Sequence, residues 1–154
     1  ALHWACVSVD KPRPSARYGH TANLIGSLFV VFGGQLGDNF FDDTWSFDIR
    51  GEKAAWSLIE PKDGISPPAR TGHVSVTFEE TIYIIGGTDG QYHYDDTWCF
   101  DLQAKQWTEL KCTGISPAPR EGYACALVGD TIYIFGGRGV DGKGLDGLSA
   151  LKIS

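Results

Sequence analysis

The residues able to do chemistry return with a period of their own. Arg17-Tyr-Gly-His20 recurs as Arg70-Thr-Gly-His73 and again as Arg120-Glu-Gly-Tyr123, where a phenol replaces the imidazole. Imidazoles at His20 and His73 could open a metal site, but even a catalytic zinc needs three converging ligands. The other histidines, His3 and His93, come from different segments. The carboxylate pairs Asp42-Asp43 and Asp95-Asp96 suggest acid/base work or calcium binding, yet they too repeat at a step of 53 residues. A group that returns once per repeat is a scaffold choice. The histidines are therefore read as structural and the aspartates as hydrogen-bond caps of a loop. Arg17, Arg70 and Arg120 each follow a Pro/Ala-rich stretch. Pairing with neighbouring acids or carbonyls is their structural reading, and a ligand-facing role the alternative. There is no nucleophile elbow, P-loop or C-x-x-C pattern. Double glycines without a following helix make poor phosphate cradles. No catalytic residue, metal or cofactor is expected.

Composition narrows the class. The 154 residues set a prior of one domain, and 42% apolar with 21% charged residues excludes a disordered tail. The longest apolar runs fall far short of the roughly 20 residues of a spanning helix. A net charge of −6 argues against a nucleic-acid groove or an anionic membrane, both of which reward Lys and Arg. Gly and Pro are 27 of 154 residues, above the usual share of about 12%, which is a turn-rich β composition. Cys6, Cys99, Cys112 and Cys125 lack paired spacing and are read as reduced, structural thiols, with a disulfide as the alternative. That reading, with no signal-like start and no sequon, predicts a cytoplasmic location. The opening at Ala1 predicts a piece trimmed from something longer.

The elements that hold these groups are themselves repeated. Gly33-Gly34, Gly86-Gly87 and Gly136-Gly137 fall on the same two steps of 53 and 50 residues. So do Asp43-Thr-Trp45, Asp96-Thr-Trp98 and a degenerate Asp146-Gly-Leu148. Trp56 and Trp107 lie 14 and 13 residues before the next repeated Arg. Each unit reads as four strands. An alternating strand such as His73–Phe78 leads, through a tight turn at Gly26-Ser27, Glu79-Glu80 or Gly129-Asp130, into an apolar run. The runs Leu28–Phe32, Ile82–Ile85 and Ile132–Phe135 predict burial on both faces. The double glycine ends each run where no side chain fits or φ is positive. A third, alternating strand (Thr44–Asp48, Thr97–Asp101) and a fourth beginning at Trp56 or Trp107 complete the unit. No sustained 3.6-residue period occurs, so helix should be nearly absent.

A four-stranded unit of about 50 residues that cannot bury its own faces must stack on copies of itself, and the radial solution is a β-propeller. The double glycine and spaced aromatics resemble the kelch repeat over essentially the whole chain. Ile85–Tyr94, Asp96–Asp101 and Ile134–Lys143 are similar to fungal cell-end marker kelch proteins, which carry an N-terminal kelch propeller and long coiled coils. The resemblance implies an all-β propeller fragment and a scaffold role in cell polarity, at the cortex of growing tips. Some kelch-bearing proteins are metal-dependent enzymes. The Glu-x3-Asp-x3-His iron motif of the plant specifier proteins is not found here. An enzyme and a purely structural half-propeller remain the alternatives.

The expected division is a fourth strand in 1–16, whole blades at 17–69 and 70–119, and three strands of a split blade at 120–154. Trp4 lies 13 residues before Arg17, as Trp107 does before Arg120, so His3–Val9 reads as a fourth strand without its first three. Three blades sweep half of a six-bladed ring, which a second copy could close as a homodimer; the remainder of a longer chain is the other way to close it.

The mouth of such a ring is where a protein partner or peptide is expected. Repeat proteins keep scaffold positions alike and vary their binding face. Varying positions after the double glycine are Gln35, Thr88 and Arg138, and after the repeated Arg they are Tyr18, Thr71 and Glu121. Farther along the loops come Phe40, Phe41, Tyr92, His93, Tyr94 and Lys143, whose aromatic bias suits interface anchors. Ordinary exposed turns are the alternative reading.

Overall fold

A computed structural model describes residues 1–52 and 54–154, and in it the chain is all-β. The first sheet runs in order through Thr21–Ile25, Leu28–Phe32, Thr44–Asp48 and Trp56–Ile59. The second runs through Val74–Phe78, Thr81–Ile85, Thr97–Asp101 and Gln106–Leu110. The third has three strands, Ala124–Val128, Thr131–Phe135 and Leu148–Lys152. Every neighbouring pair is antiparallel. These are blades of a β-propeller.

Side-chain alternation sorts each strand between two faces. In the second sheet Ile82 and Ile84 join Trp98, Phe100 and Trp107 against the first sheet's Ile25, Val30, Phe32 and Ile59. Its other face, Val74, Val76 and Ile85, meets Ile132 and Ile134 of the third sheet. Trp107 is the keystone of the first interface. Its ring lies 4.8 Å from both Phe32 and Phe100, and its indole N–H donates to Thr44 Oγ1 at 3.2 Å. Truncating an aromatic so buried costs about 3–5 kcal/mol.

Three expectations are corrected. The apolar run Ile132–Phe135 is buried on one face only, since Tyr133 and Phe135 are 39% and 54% exposed. The third sheet has a neighbour on one side alone. For the same reason Phe29 of Leu28–Phe32 stays exposed on the outer face of the first sheet. All four thiols are free, but Cys6 and Cys112 are exposed, against their reading as structural, while Cys99 and Cys125 are half-buried.

The third correction concerns register. Asp146 does not stand where Asp43 and Asp96 stand. Gly33 N–H donates to Asp43 O, Gly86 N–H to Asp96 O, and Gly136 N–H to Gly147 O. The loop anchor likewise runs Phe41 to Gly34, Tyr94 to Gly87, then Leu145 to Gly137. The third loop is one residue longer, so Gly147 takes the aspartate's place and Leu145 the aromatic's. Ile84 pairs with Trp98, but Ile134 pairs with Ser149. A one-residue slip exchanges the faces of a strand.

Residues 1–9 form no strand in the single chain, and Leu2, Trp4 and Val7 are exposed.

Candidate functional site

Antiparallel topology puts two sets of loops at one end of the stack: those after each double glycine and those carrying each repeated arginine. Their backbones pair in the same way in every blade. Tyr18 bridges Gln35, Thr71 bridges Thr88, and Arg120–Glu121 pairs with Arg138–Gly139. Near the axis Gly72 N–H donates to Gly19 O at 2.9 Å and Gly122 N–H to Gly72 O at 2.8 Å. This ties the blades together and fixes the layer.

The arginines hold the layer from beneath. The Arg70 side chain is fully buried and grips Asp96 with two nitrogens at 2.6 and 2.9 Å, while donating to Gly86 O at 2.9 Å. Trp98 Nε1 donates to the same carboxylate at 2.8 Å. The Tyr94 ring covers the guanidinium at 4.0 Å. Arg17 repeats the arrangement with Asp43, Gly33 O, Trp45 and the Phe41 ring at 4.1 Å. Half-burial would push the Asp43 carboxyl up, but the Arg17 and Trp45 hydrogen bonds outweigh it and hold it below its ordinary value. Arg120 keeps its bonds to Gly136 O and Ala118 O. The slip leaves Gly147 and Leu145 where its carboxylate and aromatic partners would stand.

The repeated imidazoles are packing residues. His73 is buried against Phe32, with Nε2 2.9 Å from Thr21 Oγ1. Burial, then the nearby Arg70 charge, lowers its pKa from 6.5 to about 3. Tyr123, at the same position, donates to Ile85 O, and burial pushes its hydroxyl pKa up. Among the described residues no three His, Cys, Asp or Glu side chains are placed to hold a metal ion.

Of the varying positions expected to face a partner, the structure divides them into two groups. Thr71 and Thr88 are buried at 5% and 4%, which corrects their reading as contact residues. Thr88 Oγ1 donates to Tyr92 O and accepts from Gly90 N–H, so it shapes the loop. Tyr94 caps Arg70, and Phe40 fills the space beside Gly90, where a Cβ would come within 2.9 Å of its ring. On the outside are Tyr18 and Tyr92, 54% and 59% exposed, with Arg138 and Lys143. Half-buried beside them, Glu121 accepts from Arg138 Nη2 at 2.9 Å and lies 3.4 Å from His93 Nε2. Gln35 completes the set at the first blade, also half-buried.

One further feature lay outside the reach of sequence reasoning: a groove of about 640 Å³ between the second and third sheets.

The stacked four-stranded sheets, double-glycine strand ends and arginine-carboxylate racks coincide with a family match. The model described as the KLHDC2/KLHL20/DRC7 Kelch-repeats domain matches residues 1–137. The chain belongs to the kelch-repeat family. Among curated proteins this kelch segment is 41% identical over 102 residues to Tip elongation aberrant protein 1 of Schizosaccharomyces pombe, covering 65% of the chain and 9% of that relative. It is 34% identical over 134 residues to Tip elongation aberrant protein 3 of the same yeast, covering 70% and 12%. Kelch repeat-containing protein 2 of Saccharomyces cerevisiae is 31% identical over 97 residues, covering 58% and 11%. The chain thus spans about a tenth of the length of these relatives. No helix among the described residues is long and apolar enough to cross a membrane.

Proposed function

We propose that this kelch segment is a protein-interaction scaffold of fungal tip growth, gripping an extended segment of a partner across its loop layer. The observation that carries this reading is the division within that layer. Phe40, Phe41, Thr71, Thr88 and Tyr94 lock the loops. Tyr18, Tyr92, Arg138 and Lys143 remain exposed on the same face, with Gln35, His93 and Glu121 beside them. A rigid platform carrying exposed tyrosines and an arginine has the composition of an interface hot spot. The names of the two fission-yeast relatives support tip elongation as the setting. A cytoplasmic position at the cell cortex follows from that setting.

The test is affinity capture from a fungal extract with the native chain and with a triple variant, Tyr18→Ala, Tyr92→Ala and Arg138→Ala. The captured protein should be lost with the variant while the melting temperature stays within about 2 °C, as for exposed substitutions. Equal recovery of the same protein would reject the loop layer as the binding face.

We further propose that two copies pair into a closed six-bladed ring. The outer faces of the end sheets support this. Phe29, Leu24 and Leu58 lie exposed on the first sheet, and Val128, Tyr133 and Phe135 on the third. Apolar faces and unpaired strand edges of this kind favour association, and a two-fold contact closes on itself. Sedimentation equilibrium tests the pairing: twice 16.8 kDa is expected, and a soluble monomer at micromolar concentration would refute it.

A further inference from the structure

Arg120 keeps the posture of a paired arginine without the pair. In the second blade Arg70 donates through Nε to Pro68 O at 3.0 Å and through Nη1 to Gly86 O at 2.9 Å. In the third, Arg120 donates through Nε to Ala118 O at 3.0 Å and through Nη1 to Gly136 O at 2.9 Å. The two guanidinium forks are held alike. Along its remaining edge Arg70 meets both oxygens of Asp96, at 2.6 and 2.9 Å. Arg120 is only 7% exposed, yet among the described residues no carboxylate pairs with it. Three replacements clear that edge. Gly147 stands where Asp96 stands and Leu145 where Tyr94 stands. Ser149 pairs with Ile134 as Trp98 pairs with Ile84, so a hydroxymethyl replaces the indole. All three lie inside the third blade, in the loop and strand that follow Gly136-Gly137. A Cβ at Gly147 would meet no atom within 4 Å beyond its chain neighbours.

We infer that Arg120 is a receptor for a carboxylate supplied by a partner, borne on an Asp or Glu side chain. The inference rests on the loop-layer reading above and names the chemistry that one blade of it recognises. A buried cation without its anion is costly, and an incoming carboxylate relieves that cost. The fork is already oriented by its two carbonyls, so a planar carboxylate gains two charge-assisted bonds without ordering a mobile arginine. Access does not depend on the third blade's particulars. The Asp43 and Asp96 side chains remain 28% and 14% exposed, so the place beside this arginine opens to solvent even where the chain's own acid fills it. Arg120 and Ser149 line one cavity together with Asp95 and Glu109, both exposed acids. Their charge repels a phosphate dianion more than a single carboxylate, which favours the acidic side chain. A side chain rather than a chain terminus also lets the partner segment run on across the layer.

The experiment follows the arginine Nε–H resonances of the full chain by nitrogen-15 NMR while sodium acetate is added at constant ionic strength. The Arg120 resonance should shift saturably with acetate and stay still with chloride. Gly147→Asp restores the acid within the blade, where the backbone φ is ordinary and a side chain has room. It should weaken acetate binding by at least about tenfold, the scale of lost hydrogen bonds to a charged group, and raise the melting temperature. Gly147→Ala should do neither. Two peptides distinguish the source: N-acetyl-Gly-Asp-Gly amide should bind, and N-acetyl-Gly-Gly-Gly with a free C-terminus should bind more weakly. A silent Arg120, or equal acetate affinity in Gly147→Asp, would overturn the site. Tighter binding of inorganic phosphate than of acetate would overturn the carboxylate assignment, and preference for the free C-terminus would overturn the side-chain source. Acetate reads Arg120 alone, so the site stands or falls separately from capture of a partner by Tyr18, Tyr92 and Arg138.

Discussion

Asp96 and Asp146 stand at corresponding places in the aligned repeats, 26 residues after Arg70 and Arg120, yet replacing each with Asn should have very different consequences. Asp96 receives two bonds from Arg70, at 2.6 and 2.9 Å, and one from Trp98 at 2.8 Å. The Arg70 side chain is 0% exposed and that of Asp96 14%. Removing the carboxylate charge leaves a guanidinium buried without its counter-ion, which costs about 3–5 kcal/mol. The small solvent access of Asp96 favours the lower end, about 3 kcal/mol. For a chain of this size that corresponds to roughly 6–12 °C in melting temperature. Asp146 is exposed and touches no arginine, because the longer loop puts Gly147 in the aspartate's place. Asp146→Asn should therefore stay within about 0.5 kcal/mol of the parent. Urea unfolding followed by tryptophan fluorescence reads both. Similar losses in the two variants would show that Arg120 pairs with Asp146 after all, and would refute the slipped register.

Acid should expose His73. Its folded pKa of about 3 lies below the ordinary histidine value of 6.5, so the unfolded chain takes up a proton that the folded chain refuses. This stability contribution is complete above about pH 6.5 and is lost as pH falls toward 3. Between pH 7 and 4.5 His73→Phe should lose about 2 kcal/mol less than the parent, and parallel pH profiles would count against the assignment. At Gly86 φ is +68°, and a Cβ would meet the Tyr123 hydroxyl and lie 3.2 Å from Arg120 O. Gly86→Val should cost about 3 kcal/mol or more in thermal melts, against about 2 for Gly136→Val, whose nearest neighbour is Leu145 O at 3.4 Å. Equal melting temperatures would remove the packing argument. Glu79 and Glu80 both carry positive φ in their hairpin turn, so Glu80→Gly should raise stability by up to about 1 kcal/mol, and a loss would contradict the turn geometry.

The blades were legible because their signals are local. The double glycines, the Arg-x-Gly-His tetrapeptide and the alternating Thr-Trp-x-Phe-Asp strand each act within a few residues, and their spacing set the strand order. What could not be read depended on neighbours distant in sequence. The exposure of Phe135 follows from the lack of a sheet against its face, which no period within Ile132–Phe135 records. The displacement of Asp146 comes from one extra residue in a loop, and the degenerate Asp146-Gly-Leu148 hid it by preserving the acid at the expected spacing. Within the loop layer, variation between repeats marked the right region but could not separate Thr88, whose hydroxyl closes its own loop, from Tyr92, which faces solvent. Both are varying positions of the same loop, and each carries a hydroxyl. Only burial distinguishes them.

The claim that a partner lies across the loop layer is tested most directly by amide hydrogen exchange of the full chain, alone and with the captured protein. Bound partner should slow exchange at residues 17–19, 35–40, 88–94 and 138–143, and leave the opposite turns at Gly26-Ser27, Glu79-Glu80 and Gly129-Asp130 unchanged. Protection confined to those opposite turns, with the loop layer exchanging as in the free chain, would contradict it.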